Sequence, residues 1–455
     1  MLDWKKLLSS TRLGEKKSAL QNYSDGRSEF QRDFDRVVFS SAFRRLQDKT
    51  QVFPLPESDF VHNRLTHSLE VSCVGHSLGN LVGEKVLSRN RKLQTKITKF
   101  HFGEIVAAAC LAHDIGNPPF GHSGESAISE YFRNGNGKAF EGDLSIKQWN
   151  DLTNFEGNAQ GFRILTRLQN PNIKGGLHLT SAMLAAFTKY PRESISANDD
   201  IPGRAKIYKK FGFFQSEKDI FIEISEGVGL KKYSLDSNIL WYTRHPLAFL
   251  VEAADDVCYR IMDLEDGFRL GLLSFSDTEN LLIPLIQKKD LSNYNLRDEN
   301  DKIGYLRAKV ISSLVNQLSE IFLDEEHNIL SGKFLTDLIS HLPTTKYLKI
   351  IEEISITRIY SYESVVEREA AGYEVLGGLL DAFINSVNES AQNKISPKSA
   401  TLLKLLPDQF GGREGIPALD LYSRLLSVID FVSGMTDSFA VSLFRKIKGI
   451  SLPGK

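Results

Sequence analysis

The segment His113-Asp114-Ile115-Gly116-Asn117-Pro118-Pro119-Phe120-Gly121-His122 constrains this chain more than any other. It closes a short, very apolar helical pattern over 103–113, whose small residues allow close packing against a neighbour. Two metal-binding residue types, an imidazole and a carboxylate, stand side by side at the end of that pattern. A Gly/Pro-rich break follows, then a third ionisable ring. Packing alone rarely asks for so many breakers and coordinating groups together. The segment predicts a helix that ends in a chemical site, a tight turn, and a second helix. Ser123 is the expected N-cap of that second helix, with Ala127, Ile128, Tyr131 and Phe132 on its apolar face.

Helical periodicity recurs on both sides. It covers 27–50, rich in Arg and Phe, and 64–87, where Leu65, Leu69, Val74, Leu78, Leu81, Val82 and Val86 recur at helical spacing. It returns over 155–169 and 176–189, and from Pro246, a first-turn residue, to Gly267, a good stop. Further helices are expected at 276–290, 300–323, 333–341, 362–388, 397–406 and 417–447. Residues 191–238 break the pattern, and Asp219-Ile-Phe-Ile-Glu-Ile-Ser225 alternates like a strand, as does Ile354–Tyr360. The expected fold is mostly α. A helical core fills residues 1–270, with an insertion at about 191–240 holding at most a small β-hairpin. A helical C-terminal region, 271–455, packs on that core.

The chain is 455 residues long, enough for a large core. Its 41% hydrophobic and 25% charged content is that of a soluble globular protein. A net charge of −1 gives no strong overall field for nucleic acid or membrane, although local basic patches remain open. No run approaches the roughly 18 apolar residues of a spanning helix, and Met1–Ser18 lacks an unbroken apolar signal region. Cys73, Cys110 and Cys258 lie far apart in apolar runs, with no CxxC pair. They read as buried reduced thiols, which fits a cytoplasmic protein.

Four groups make the case for a metal site: His67, His113, Asp114 and Asp255. A mixed nitrogen and oxygen set suits magnesium, manganese or iron better than a structural zinc, which prefers closed thiolate or imidazole cages. Four protein ligands leave positions open for water and a substrate oxygen, the arrangement that polarises a phosphoryl group. Taken singly, a helical His is more often a satisfied partner than a ligand, and an acidic pair such as Asp255-Asp256 is usually a solvated face. The weight lies in the combination.

That combination resembles the HD-domain superfamily of metal-dependent phosphohydrolases and, more closely, its deoxyguanosinetriphosphate triphosphohydrolase (dGTPase) branch. The matching strings are Arg64-Leu-Thr-His67-Ser-Leu-Glu-Val71, the 113–122 segment, and Val251-Glu-Ala-Ala-Asp255-Asp256-Val-Cys-Tyr259. Phe43-Arg-Arg-Leu-Gln-Asp-Lys-Thr-Gln51-Val-Phe-Pro54 and Asn154-Phe-Glu-Gly-Asn-Ala-Gln160 match as well. Together they run from about residue 27 to 267. Beyond that, only Thr357-Arg358-Ile359-Tyr360 carries the likeness.

The resemblance implies an HD-domain helical core with His67, His113, Asp114 and Asp255 as metal ligands, the ion being magnesium or manganese. The family places a substrate Tyr and an Asp four and eight residues after the last ligand. Counting from Asp255 gives Tyr259 and Asp263; counting from Asp256 gives Arg260 and Leu264, the wrong types. An i, i+4, i+8 series shares one helix face, so Asp255 is the expected ligand, with Tyr259 and Asp263 at the deoxyribose. His122 and Glu125 match the catalytic pair, and their i, i+3 spacing brings them together on a helix. A carboxylate beside an imidazole raises its pKa, and His122 is expected to move a proton during attack at the α-phosphorus. Whether His122 or the metal activates the water is left open. Asn117 stands where some HD triphosphohydrolases have His, which argues against a second metal.

The resemblance also implies phosphate contacts from Arg64, Lys189, Tyr190 and Lys210, with Arg358 and Tyr360 adding more, and Gln51 near the sugar 3′-hydroxyl. Tyr259 near the 2′ position would exclude a ribose by clash. The implied reaction converts dGTP and water to deoxyguanosine and inorganic triphosphate. Implied partners are dGTP, further copies of the chain in a homo-oligomer (a hexamer in this branch), and a single-stranded DNA effector, with no membrane. Residues 27–50 and Arg204-Ala-Lys-Ile-Tyr-Lys-Lys210 mix basic and aromatic groups suited to single strands. Other readings remain: a broader dNTP triphosphohydrolase, a nucleoside monophosphatase, a guanosine tetraphosphate hydrolase, or an HD regulator that binds nucleotides or single-stranded DNA without turnover.

Overall fold

The computed structural model describes residues 1–14, 26–53, 61–194, 210–233, 239–286, 296–411 and 417–451. Its principal helices are α1 (Glu29–Val38), α2 (Arg64–Arg89), α3 (Lys99–Ala112), α4 (Gly121–Arg133), α5 (Gly157–Arg163) and α6 (Ser181–Phe187). They continue with α7 (Lys218–Gly227), α8 (Pro246–Arg269), α9 (Glu299–Asp324), α10 (Glu363–Ala391), α11 (Leu421–Ser433) and α12 (Asp437–Ile447). Among the described residues β pairing is limited to isolated bridges such as Arg192 with Trp241 and Lys232 with Tyr242.

The pair α2 and α3 carries the site, and their sequences explain how closely they pack. Asn63 opens α2 with a capping box: its side chain accepts from the Thr66 amide at 2.9 Å, and Thr66 Oγ1 accepts from the Asn63 amide at 3.1 Å. Gly75, Gly79 and Gly83 then recur every fourth residue, which places them on one face. A Cβ at Gly79 would stand 2.7 Å from both Gly103 Cα and Phe102 O, so here the two backbones touch. On the α3 side, Ile105 to Ala112 is buried throughout. Helix α8 lies against both, held at its start by Pro246 and by His245, whose side chain accepts from the Leu247 amide. The result is that the start of α2, the end of α3 and the middle of α8 bring residues 64–67, 113–114 and 255 together.

Two hydrophobic clusters surround this centre. The larger joins α2, α3, α6, α8 and α9, with Leu78, Phe102, Phe187, Leu250 and Phe322 among its buried members. The smaller packs α4 and α5 against α10, α11 and α12 through Phe132, Ala159, Phe383, Ile429 and Ala440. Both draw on residues from either side of residue 270.

Several expectations need correction. Asp219–Ser225 is not a strand but the body of α7, so the hairpin expected in the insertion is absent among the described residues. Ile220, Ile222 and Ile224 fit a period of two, yet Phe221, Ile224 and Val228 fit a helix, and it is Phe221 that packs, stacked on Phe213 at 4.3 Å. Ile354–Tyr360 is no strand either; Ser355–Ile359 forms a π turn that continues the helix Thr345–Ile354. Over 333–341 only Ile339–His341 is helical, as a 3₁₀ turn. The expected helix at 417–447 is two helices bent by 112° around Gly434–Thr436. The second site helix starts at Gly121 with Phe120 before it, earlier than Ser123 predicts. Cys110 and Cys258 are buried as expected, while Cys73 is exposed. No single helix among the described residues is long and apolar enough to cross a membrane.

Candidate active site

The end of α3, the start of α2 and the middle of α8 meet at a cavity of about 420 Å³. His113 caps α3, and its Nδ1 bonds the Cys110 carbonyl at 2.7 Å. That bond makes Nδ1 the donor and turns Nε2 inward. His113 Nε2 lies 3.3 Å from Asp255 Oδ1 and 3.4 Å from Asp114 Oδ1, and His67 Nε2 lies 3.3 Å from the same Asp255 oxygen. The outer oxygens are taken by cations: Arg64 Nη1 reaches Asp114 Oδ2 at 2.7 Å, and Lys189 Nζ reaches Asp255 Oδ2. Two imidazole nitrogens and two carboxylate oxygens thus converge, each carboxylate steadied from behind. Ligand atoms of His67, His113 and Asp114 lie within 4.8 Å of one another. This donor set fits a divalent ion held by nitrogen and oxygen.

The electrostatics agree. Burial works against ionisation of Asp114, but Arg64 and the two imidazoles outweigh it and hold the carboxyl below its usual range. Burial likewise opposes ionisation of Asp255, and Lys189 and His113 bring its pKa well below the ordinary value. Both groups are therefore carboxylates at neutral pH, the form a metal needs. Asp256 is held elsewhere: it pairs with Arg260 at 2.7 Å, and burial pushes its carboxyl up to about 6.

The turn after Asp114 is built for close approach. A Cβ on Gly116 would lie 2.1 Å from both Gly157 O and Gly161 N, so α5 seats directly on the turn. Asn117 donates from Nδ2 to Asp114 Oδ1 at 2.6 Å. Phe120, at φ 66°, and Gly121, at φ 60°, are both left-handed, and a side chain at Gly121 would meet Arg64 Nη2 at 2.6 Å. Because α4 begins at Gly121, His122 falls in its first turn. His122 Nδ1 bonds Glu125 Oε2 at 2.7 Å, and Glu125 Oε1 accepts the Gly157 amide at 2.7 Å. The His122 pKa is raised, chiefly by that bond and the charge of Glu125. Its ring is 75% exposed, standing at the cavity mouth with Nε2 available.

Of the other expected contacts, Gln51, Arg64, Lys189, Tyr190, Lys210, Tyr259 and Tyr360 all line the cavity. Lys210 pairs with Glu156 at 3.4 Å; burial lowers its pKa, but Glu156 and Glu125 raise it further, so it stays cationic. Asp263 sits behind the wall, accepting from the Tyr360 hydroxyl at 2.6 Å, with its carboxyl pushed up to about 8 by burial. Tyr259 stacks on Tyr360 at 5.8 Å, and burial raises its hydroxyl to about 12. Arg358 is not brought to the site. It pairs with Asp277 at 3.1 Å, with both side chains about half exposed.

The Arg-rich segment 27–50 is largely internal bracing. Arg36 donates to the Leu177 and His178 carbonyls, Arg45 to the Gly434 carbonyl, and Arg27 pairs with Asp35. Most of the basic run from Arg204 lies outside the described residues. The 154–160 string is divided: Asn158 lines the cavity, while Gln160 donates to Asp430 on α11 at 2.9 Å. Sequence reasoning missed Arg368 on α10, which lines the cavity with Nε and Nη1 buried and without hydrogen-bond partners. No motif marked it. It also missed Lys49, buried within the recognised 43–54 string and bonded to the Asn117 carbonyl at 2.5 Å.

Comparison with known proteins agrees with this geometry. A family model described as "HD domain" matches residues 64–168, from the start of α2 through α5. A "Deoxyguanosinetriphosphate triphosphohydrolase-like protein" of Synechocystis sp. is 46% identical over 99% of this chain and 100% of its own length. The chain belongs to the dGTPase family of HD-domain hydrolases. A protein of the same "-like" name from Pseudomonas aeruginosa is 40% identical over 99% of this chain and all of its own. The "Deoxyguanosinetriphosphate triphosphohydrolase" of Yersinia enterocolitica is 30% identical, covering 98% of this chain and 99% of that one. Membership therefore extends past the HD match into the C-terminal half, where α10 brings Arg368 to the cavity.

Proposed function

We propose that the protein hydrolyses dGTP to deoxyguanosine and inorganic triphosphate with a bound magnesium or manganese ion. The observation that carries this reading is the convergence of His67 Nε2, His113 Nε2, Asp114 Oδ1 and Asp255 Oδ1 beneath a cavity lined by cations. Those four residues would hold the metal, which when bound polarises the α-phosphoryl oxygens.

The chain's own residues do the rest. Arg64, Lys189, Lys210 and Arg368 face the cavity, enough positive charge to seat a triphosphate. Its volume falls in the range of small-molecule sites, about 300–1,000 Å³. The stacked Tyr259 and Tyr360, backed by Asp263, would form a wall for the sugar, with Tyr259 placed to exclude a 2′-hydroxyl by clash. Glu125 fixes the His122 ring through Nδ1, so Nε2 handles the proton as water adds at the α-phosphorus and the 5′-oxygen leaves.

The test incubates the protein with each dNTP and with GTP, under magnesium and under manganese, and resolves products by ion exchange. Triphosphate released from dGTP alone is expected. Triphosphate from several dNTPs would make it a broader triphosphohydrolase, and pyrophosphate or phosphate would overturn the reaction. A homo-oligomer, a hexamer in the resemblance, and a single-stranded DNA effector belong to the same reading. Light scattering with and without an oligonucleotide tests both. A cytoplasmic location accords with three free cysteines.

A further inference from the structure

The corner between α11 and α12 lies far along the chain from the 113–122 turn, yet grips it. Asp437, the first residue of α12 and 6% exposed, spends both carboxylate oxygens on other segments. Oδ1 accepts the Phe120 amide at 3.1 Å. Oδ2 accepts the Thr50 amide at 3.2 Å and the Thr50 hydroxyl at 2.8 Å. Beside it Lys49, 3% exposed, donates from Nζ to the Asn117 carbonyl at 2.5 Å and the Ser433 carbonyl at 2.9 Å. Ser433 is the last residue of α11, and Arg45 adds a bond to the next carbonyl, that of Gly434, at 2.8 Å.

These bonds hold the points of the turn that matter. Asn117, pinned through its carbonyl, uses its side chain to hold Asp114 Oδ1. Phe120, pinned through its amide, is the left-handed residue that sets the start of α4 and hence where His122 stands. A bulky residue keeps that conformation only when its surroundings impose it. Thr50 directly precedes Gln51, a cavity residue.

We propose that Lys49 and Asp437 are positioning residues for the reaction. They clamp the α11–α12 corner onto the 114–122 turn, fixing Asp114 and His122 relative to each other and to Gln51. Neither touches substrate. The clamp acts through the turn, so its loss misaligns reacting groups while leaving most substrate contacts in place. The kinetic part of this inference rests on the cavity being the dGTP site.

The test compares full-length wild type with Asp437→Asn and Lys49→Met. An amide at 437 presents one donor where two oxygens accepted, so either Phe120 or Thr50 loses its acceptor. Misplacement of about an ångström costs on the order of 10²-fold in rate. The expected result is a kcat on dGTP reduced about 10- to 100-fold and a KM changed less than about threefold. Hydrogen exchange of the 114–122 amides should rise in both variants, and Lys49→Arg, which can still bridge two carbonyls, should recover most of the rate. A purely structural role would lower the melting temperature and leave kcat of the folded protein intact; that result overturns the inference. If Asp437→Asn does not fold, Thr50→Val removes one clamp bond and is held to the same criteria. If wild type hydrolyses no dNTP, the functional reading fails separately and exchange decides: faster exchange over 114–122 supports the clamp, and unchanged exchange refutes it.

Discussion

His62 ties the two ends of the site together, and its titration gives a sharp test. It precedes α2 by two residues and sits between α2 and α8. Its Nδ1 lies 2.8 Å from Asp266 Oδ1, its Nε2 lies 3.2 Å from Glu70 Oε1, and its amide donates to Asp266 Oδ2 at 3.1 Å. Burial disfavours the charged ring, but the bonds to Asp266 and Glu70 outweigh burial and raise its pKa to about 10. The unfolded value is about 6.5. A pKa raised on folding adds stability that is present in full below pH 6.5 and lost as pH rises to about 10. At about 1.4 kcal/mol per unit, the ring contributes on the order of 3–5 kcal/mol at the acid end of that window. The measurement is urea unfolding of wild type and His62→Gln at intervals from pH 6 to pH 10.5. Wild type should be the more stable protein at pH 6 by a few kcal/mol, and the gap should close toward pH 10. Differencing the two curves removes the titration of every group unaffected by the substitution. Parallel curves across the window would refute the doubly bonded imidazolium. A gap that widens with pH would reverse the sign of the argument. Because α2 carries Arg64 and His67 and α8 carries Asp255, metal affinity of wild type should weaken over the same alkaline window.

Three further outcomes follow from the site. Gly116→Ala should destabilise the fold by about 1–3 kcal/mol or more, read as a lower urea midpoint, since the new methyl would meet backbone atoms of Gly157 and Gly161 at 2.1 Å; a midpoint equal to wild type would mean that α5 does not seat on the turn. His122→Ala should keep manganese binding while kcat on dGTP falls about 10²–10⁴-fold, and near-full turnover would remove the proton-handling role. Tyr259→Ala should raise GTP hydrolysis relative to dGTP, measured as the ratio of kcat/KM values; an unchanged ratio would place 2′ discrimination elsewhere.

How much of this could be read from the chain depends on how far each signal reaches. Local signals served well where periodicity, cap and stop agreed. Helix α8 begins at Pro246 and runs two residues past the expected stop, and α2 begins at Arg64, the expected start of its helical pattern. The choice between Asp255 and Asp256 came from the resemblance, which asks for a Tyr and an Asp four and eight residues on, and the geometry turns Asp255 to the two histidines and Asp256 to Arg260. Periodicity failed where two periods fit the same letters. In 219–225 the isoleucines alternate, but the Phe213 ring selects Phe221 as the packed side chain, and only tertiary contact decides that. The Arg358 assignment rested on the resemblance of the 357–360 string alone; the string places Tyr360 at the cavity, while Arg358, two residues earlier, pairs with Asp277. The clamp was the least legible feature. Lys49 and Ser433 are 384 residues apart, and neither a buried lysine nor an aspartate opening a late helix announces its partner. Hydrogen bonds of that range carry no periodicity. The 113–122 segment announces the expected donors of a hydrolase, but the proposed clamp makes their alignment depend on α11 and α12, which lie beyond the strings that marked the family. A chain truncated before α11 should therefore keep all four residues proposed to hold the metal and lose manganese binding in titration calorimetry; binding equal to that of the full chain would refute the dependence on α11 and α12.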